Sequence, residues 1–541
     1  MPSTDARGLL AKVTSELPGG GEARPKQAEM AAAVEVAIRT KQHLVVQAGT
    51  GTGKSLAYLV PAVLSGKTVV VATATKALQD QLAGKDLPFL AEHLGRELSF
   101  AVLKGRSNYV CLQRIAEISG EGQMALDGLA DRASPMELTA LKTWAAELTD
   151  TGDRAELPEE PSPAAWAAVS VSSQECPGAK RCTKGDDCFA ERARRRAADA
   201  DVVVVNTHLY GLDLASEGMI LPEHDIVVLD EAHQLEDTIS ETAGVEISAG
   251  RFLNLARAVR AIVEDPAAVD DVETSGSLIA AVLTEHVGRR FRGALDPDVA
   301  DALTLARSRL DRVLAALKNV PDNDVGDVAA RKLRAVNLAT VLATDLMAAL
   351  DVPEGWTSWV EGPDERPRLE VAPVEVGDIL RSSLWDKRTA VLTSATIPLG
   401  LAERLGLHDG EATILDVGSP FDYEQHALLY CAAHLPDPRE TTFEAGVHDE
   451  LEALIRAAGG RTLALFTSYR AMDAAVDALR ARLDTPVLSQ RDLPKPALVA
   501  QFLASEPTSL FATMSFWQGI DVPGRTLSLV TIDRLPFPRP D

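Results

Sequence analysis

No apolar stretch in this 541-residue chain runs unbroken for the ~18 residues that a membrane span requires. Met1–Leu10 has no apolar signal-peptide core. Both absences argue against a membrane or secreted protein and set the expected location as the cytoplasm. Cysteine is scarce, with five residues in all, which argues against a disulfide framework. Cationic side chains are in deficit: 54 Lys and Arg face 79 Asp and Glu, a net charge of −25. That balance argues against broad, non-specific coating of nucleic acid, yet a local basic channel is compatible with it. Internal repeats and long low-complexity tracts are missing as well. What remains is ordinary soluble composition, 46% hydrophobic and 25% charged. The length holds several domains at ~150 residues each.

Residues 48–55 read AGTGTGKS and residues 230–233 read DEAH. The first run lies between a strand-like stretch, His43–Gln47, and a helix-like stretch, Leu56–Leu64, the context of a phosphate-binding loop. Gly49, Gly51 and Gly53 let the backbone through Ala48, Thr50 and Thr52 curl so that its N–H groups point at phosphates. Lys54 is placed to reach the β- and γ-phosphates and Ser55 to ligate magnesium. Taken alone, the loop is also compatible with a tight turn. The second run removes most of that ambiguity. It follows an apolar strand, Ile226–Leu229, and sets Asp230 and Glu231 at a strand's carboxyl end, where open α/β sheets bind ligands. Together the two runs describe a nucleotide-hydrolysing motor. Asp230 is expected to hold magnesium and Glu231 to orient and deprotonate the attacking water. His233, with Ser394 and Thr396, is expected to sense whether the γ-phosphate is present and to relay that by hydrogen bonding. The bland alternatives are a surface helix residue for His233 and a capped turn for Ser394 and Thr396.

Around these motifs the pattern is α/β. Residues 24–110 alternate strands (Leu44–Gln47, Thr68–Ala72, Phe100–Leu103) with helices, as βαβ units do. Residues 111–190 break the rhythm and read as an insertion. The rhythm returns at Val202–Asn206 and Ile226–Asp230. From about residue 243 to 351 the apolar spacing is helical, notably through Ala302–Leu317 and Leu333–Leu350, which predicts an all-helical second insertion. Ala390–Thr393 returns to the first module. A second α/β series follows, with strands at Ala427–Cys431, Arg461–Phe466, Ser509–Thr513 and Leu527–Ile532 and helices at Glu450–Ala458 and Ser468–Leu483. Cys431, inside LLYCAAHL, is expected to be a buried core thiol.

Several further blocks stand in a telling order: RPKQ at 24–27, TATKALQDQL at 73–82, KGRSNYVC at 104–111, TSAT at 393–396, VGSPFDY at 417–423, FTSYRAM at 466–472 and FWQGIDVPG at 516–524. From about Arg24 onward the chain resembles the DinG-type, XPD-related iron–sulfur DNA helicases of superfamily 2. The resemblance implies two tandem RecA-like parallel-sheet lobes, the second incomplete, with an iron–sulfur insertion and a helical arch in the first. Lobe 1 would comprise residues 1–110, 191–242 and 373–426, interrupted by the cluster insertion at 111–190 and the arch at 243–372; lobe 2 would be residues 427–541. It implies ATP as substrate, bound between the lobes, with Arg24 and Gln27 near the base and Gly519 and Asp521 contributing from lobe 2. Single-stranded and forked DNA are the implied partners, with an RNA–DNA hybrid as a further candidate, for a monomer moving 5′ to 3′. Strand contacts would come from Thr73, Thr75, Arg106, Tyr109, Thr467 and Trp517.

The cysteines Cys111, Cys176, Cys182 and Cys188 leave three readings open on spacing alone: iron–sulfur, zinc or unrelated thiols. Five residues separate each of the last three, wider than usual zinc pairs and compatible with a four-thiolate cubane. The resemblance implies a [4Fe-4S] cluster. Lys180, Arg181, Lys184, Arg192, Arg194, Arg195 and Arg196 gather nearby, as a phosphate-binding track or as a solvated helix face with Glu191 and Asp199. Tyr109, Phe516 and Trp517 suit sequence-tolerant base stacking, although Trp517 equally suits burial. The family's last motif, a Gln-x-x-Gly-Arg-x-x-Arg-like helix, is not reached by Asp541. Weak ATP binding and slow hydrolysis are therefore expected of residues 1–541.

Overall fold

Val69–Val71, Val202–Val205 and Ile226–Leu229 are runs of aliphatic, mostly β-branched residues, and such runs make strands covered on both faces of a parallel sheet. The computed structural model, which describes residues 5–17, 24–119, 133–147, 151–321, 326–517, 520, 522 and 524–535, bears this out. All three runs are buried. The chain divides into two units, Met1–Pro420 and Phe421–Asp541.

In chain order the first unit holds β1 (His43–Gln47), β2 (Val69–Thr73), β3 (Phe100–Val102), β4 (Val202–Asn206), β5 (Ile226–Asp230) and β6 (Val245–Ser248). It continues with β7 (Arg290–Phe291), β8 (Trp356–Glu361), β9 (Arg368–Pro373), β10 (Thr389–Ser394) and β11 (Ala412–Asp416). Seven of these form one parallel sheet in the order β11-β1-β10-β5-β2-β4-β3. The second unit has β12 (Thr462–Leu465), β13 (Val487–Ser489), β14 (Ser509–Ala512) and β15 (Leu529–Ile532), paired in parallel as β13-β14-β12-β15. The fold class is the expected one: two parallel α/β sheets in tandem with inserted segments.

The second insertion departs from the expectation of an all-helical segment. Its helices include Pro266–Thr284, Pro297–Asn319 and Gly326–Leu350, but β6, β9, β8 and β7 form an antiparallel sheet beneath them. Helix Val328–Leu350 is long and apolar enough to cross a membrane. Its Ala335, Ala339, Leu342 and Leu346 are instead buried in the insertion's own core. In the second unit, residues 427–431 form no strand. Leu428 is 93% exposed and Cys431 is exposed too, so the expected core thiol is corrected to a surface one.

The antiparallel sheet carries a like-charge pair: Glu246 lies directly across from Glu370, an arrangement that destabilises a sheet. Burial, with Glu246 and Glu361 close by, raises the Glu370 carboxyl from its ordinary 4.5 to about 7, against the opposing pull of Arg368. An acid whose folded value is raised holds its proton longer than the unfolded chain does. The contribution of Glu370 to stability is therefore fully present below pH 4.5 and is lost as pH rises through about 7. Glu370→Gln should remove that slope. Hydrogen exchange of β6 and β8 amides between pH 5 and pH 8, corrected for intrinsic rates, measures it.

Candidate active site

Three adjacent strands assemble the site. β10 lies between β1 and β5, with Ser394 opposite Gln47 and Thr393 opposite Asp230. The phosphate loop, DEAH and TSAT therefore leave the sheet side by side at its carboxyl edge. The loop is pinned from below: Ala48 N donates to Ser394 O at 2.9 Å and Gly49 N to Gly418 O at 3.0 Å. A Cβ on Gly49 would sit 3.1 Å from the Ser419 backbone. Gly53 has φ of +82°, a conformation that favours glycine, and its Cβ would displace the Gln27 amide from 2.3 Å. Inside the loop Thr52 Oγ1 donates to Gly49 O at 2.6 Å, while Thr50 faces solvent. The RPKQ block braces the same loop. Arg24 Nη1 donates to Gly51 O at 2.5 Å and Gln27 Nε2 to Gly53 O at 2.9 Å.

Helix Lys54–Leu64 begins directly at the loop. Lys54 Nζ donates to Glu231 Oε1 at 3.1 Å. Ser394 Oγ donates to Glu231 Oε2 at 3.2 Å and lies 2.8 Å from His233 Nδ1. Thr396 N in turn donates to Ser394 Oγ at 3.3 Å. Lys54, Glu231, Ser394, His233 and Thr396 thus form one continuous polar chain. Glu231 itself has φ of +56°, a left-handed conformation costing of order 1–3 kcal/mol in a non-glycine residue, of the kind that collects at functional sites.

Asp230 is 4% exposed, and this burial raises its carboxyl to about 6, with Lys54 pulling it down and Glu231 pushing it up. Its Oδ1 accepts from Glu231 N at 3.0 Å and its Oδ2 from the Tyr58 hydroxyl at 3.1 Å. Tyr58 was not among the residues singled out by sequence. Its place four residues after Lys54, hence on the same helix face, is the signal that could have found it. Gln47 also went unnoticed. Its side chain accepts from Ile397 N at 2.8 Å and donates to Asp416 at 2.9 Å, tying the TSAT exit to β11.

The residues expected to touch a strand are dispersed. Arg181 and Arg195 are exposed, and Arg181 Nε donates to Pro177 O at 3.0 Å. Thr73 is buried at the end of β2, and Thr75 caps the following helix by accepting from Leu78 N. Arg106 is paired with Glu191. Tyr109 is corrected: the residue is 4% exposed and its hydroxyl accepts from Lys104 N at 3.1 Å, so no face is offered to a base. Phe516 is likewise buried. In the second unit Trp517 packs against a core of Leu498, Phe502 and Phe516, and Thr467 N donates to Asp533 at 3.0 Å. Gly519 and Asp521 lie outside the described residues.

The cofactor expectation is also corrected. Cys111, Cys176, Cys182 and Cys188 line one cavity as free thiols. Among the described residues, however, three metal-ligating atoms lie within 4.8 Å of one another at His286, Asp296 and Asp298, and at no three of these cysteines. Burial pushes the Cys111 thiol up to about 12 and raises Cys182. The His/Asp group is itself knit together: His286 Nε2 is within hydrogen-bond distance of Asp298 at 2.9 Å, and Arg289 pairs with Asp296 at 2.6 Å.

Comparison with known proteins agrees with the site. Residues 24–120 match the DEAD/DEAH box helicase model, residues 179–252 the DEAD_2 model and residues 451–541 the helicase C-terminal domain model. The ATP-dependent helicase DinG of Mycobacterium tuberculosis is 41% identical over 98% of this chain and 84% of its own length. The ATP-dependent DNA helicase YoaA of Escherichia coli is 34% identical over 96% of this chain and 83% of its own length. A solved XPD helicase shares the fold with a TM-score of 0.55 at 16% identity, covering 96% of this chain and 86% of that one. A second, Xpd4 of S. tokodaii, gives 0.52 at 14% identity, over 95% of this chain and 84% of that one. With a phosphate loop braced against a DEAH carboxylate pair, and 34–41% identity to two helicases over nearly all of its length, the chain belongs to the DinG family of ATP-dependent DNA helicases and is an ATP-hydrolysing enzyme.

Proposed function

We propose that this protein spends ATP to move 5′ to 3′ along single-stranded DNA and to open duplex at forks and junctions, in DNA repair or replication. It would act as a monomer in the cytoplasm. The observation that carries the reading is the polar chain from Lys54 through Glu231 and Ser394 to His233. A triphosphate on the loop competes with Glu231 for Lys54. When Lys54 turns to the β- and γ-phosphates, Glu231 is released to accept the proton of the attacking water. Ser394 and His233, bonded to each other and to Glu231, register that exchange and pass it to the TSAT exit. The oxygen-only pair Ser55 and Asp230 suits magnesium, which when bound neutralises charge developing on the phosphates. Arg181 and Arg195, exposed beside the cysteine segment, are the proposed backbone contacts for the strand.

Lys54→Ala should cut DNA-stimulated ATP hydrolysis by at least about 10²-fold, with circular dichroism unchanged. Retained turnover would remove the phosphate loop from the mechanism. A strand-separation assay run beside a translocation assay decides between a helicase and a translocase that moves without unwinding.

A further inference from the structure

Strand β1 ends at Gln47, whose neighbours at that level are Ser394 of β10 on one side and Asp416 of β11 on the other. The Gln47 side chain joins the exits of both. Ile397 N donates to its Oε1 at 2.8 Å, and its Nε2 donates to Asp416 Oδ2 at 2.9 Å. A backbone N–H can only donate, so the atom facing Ile397 has to be the amide oxygen, and the NH₂ is left for the carboxylate. Asp416 then shapes the turn that follows it. Its Oδ1 accepts from Gly418 N at 2.7 Å, the turn that an Asp side chain makes with its own backbone two residues on, and Gly418 takes φ of +71°. Gly418 O in turn accepts from Gly49 N of the phosphate loop at 3.0 Å. The approach is close: a Cβ on Gly49 would lie 3.2 Å from that oxygen.

These bonds close a ring. Thr396 N donates to Ser394 Oγ, and the next donor along, Ile397 N, donates to Gln47. The polar chain that starts at Lys54 therefore continues through Gln47 and Asp416 and returns to the loop at Gly49. The block VGSPFDY at 417–423, which holds none of the catalytic groups, begins inside this ring. Two residues beyond Gly418 the chain leaves the first unit, at Pro420, and the second begins at Phe421. A shift of the loop or of the TSAT exit thus reaches the segment that leads to the second unit. We infer that Gln47 and Asp416 are positioning residues for the motor, tying the phosphate loop, the TSAT exit and residues 417–420 into one piece so that ATP turnover is converted into strand movement. Both act through backbone N–H groups rather than on the nucleotide. The inference rests on the motor reading proposed above.

The two side chains can exchange chemistry without changing shape. Gln47→Glu sets a second carboxylate against Asp416 across 2.9 Å. Asp416→Asn sets two NH₂ groups there, or turns one amide away from Ile397 N or Gly418 N. Combining the two restores every bond: the new Glu accepts from Ile397 N and from the Asn amide, whose oxygen accepts from Gly418 N. The readout is nucleotides advanced per ATP hydrolysed, from paired translocation and ATPase assays of the full chain. Loss of folded protein lowers both rates alike and leaves their ratio unmoved. Each single substitution should lower the ratio at least about threefold, and the double should return it to the unsubstituted value. Unchanged ratios in both single variants overturn the inference, and so does a double variant no better than the worse single. Should Gln47→Glu fail to fold, Asp416→Asn at its exposed position and the double decide the matter. Failure of the motor reading looks different. An unsubstituted protein that does not advance along a strand ends that reading and the coupling role with it, as does turnover that survives Lys54→Ala. An inactive Lys54→Ala beside single variants with normal ratios sinks only the coupling role.

Discussion

Glu231→Gln should lower ATP turnover by about 10²–10⁴-fold while nucleotide binding becomes tighter. The two effects come from one side chain with two jobs. Glu231 is a carboxylate bonded to the phosphate-loop lysine, and glutamine in its place cannot take a proton from water. The same carboxylate holds Lys54 at 3.1 Å, so binding a triphosphate first has to break an ion pair. With side chains 14% and 25% exposed, that pair is worth ~1 kcal/mol, or about fivefold in affinity. Glutamine removes the competition and keeps the shape that receives the Ser394 hydroxyl. Single-turnover hydrolysis and equilibrium binding, measured on one preparation, test both halves. Turnover within about threefold of the unsubstituted protein takes the base role from Glu231. Weaker binding means that the Lys54 pair supports the loop rather than competing with phosphate.

The parts of the molecule legible in sequence are those where local pattern and burial agree. β2, β4 and β5 announce themselves because both faces are covered and the residues are almost all valine, isoleucine or leucine. The phosphate loop is legible because its glycines answer to backbone demands: a positive φ at Gly51 and Gly53 and a close approach at Gly49. Where burial is one-sided, pattern gives out. β11 is a part-exposed edge strand, and β6 and β9 alternate charge with apolar residues in runs of four to six, too short to stand against the helical periodicity around them. LLYCA at 428–432 misled in the opposite way, because apolar composition does not make a strand unless a neighbour supplies hydrogen bonds and cover. At the site, the motif residues could be named, but Tyr58 sat inside an apolar helix. Tyr109 and Phe516 were legible as aromatic and illegible as buried.

The same illegibility hides the interaction with the largest expected effect on stability. Glu117, in helix Leu112–Ser119, has a side chain only 1% exposed and faces Arg334 of helix Gly326–Leu350 at 3.0 Å. Arg334 reaches both carboxylate oxygens, and Arg114 adds a contact at 3.4 Å. Removing one partner of a buried pair strands the other charge, which costs ~3–5 kcal/mol. Glu117→Ala should therefore loosen the joint between the two insertions by about that amount. Glu117→Leu combined with Arg334→Met should recover much of the loss, because an apolar pair of similar volume avoids the desolvation of both charges. The consequence should reach further along the chain. Gln113 Nε2 donates to Glu117 at 3.3 Å, and Thr183 Oγ1, beside Cys182, donates to Gln113 at 2.6 Å. Hydrogen exchange should then show protection falling in both helices and in residues 176–188 of the Glu117→Ala protein, with the amides of β1, β5 and β10 unchanged. Loss confined to helix Leu112–Ser119 would mean that helix Gly326–Leu350 is held by other contacts. A change below ~1 kcal/mol would mean that water reaches the pair and screens it.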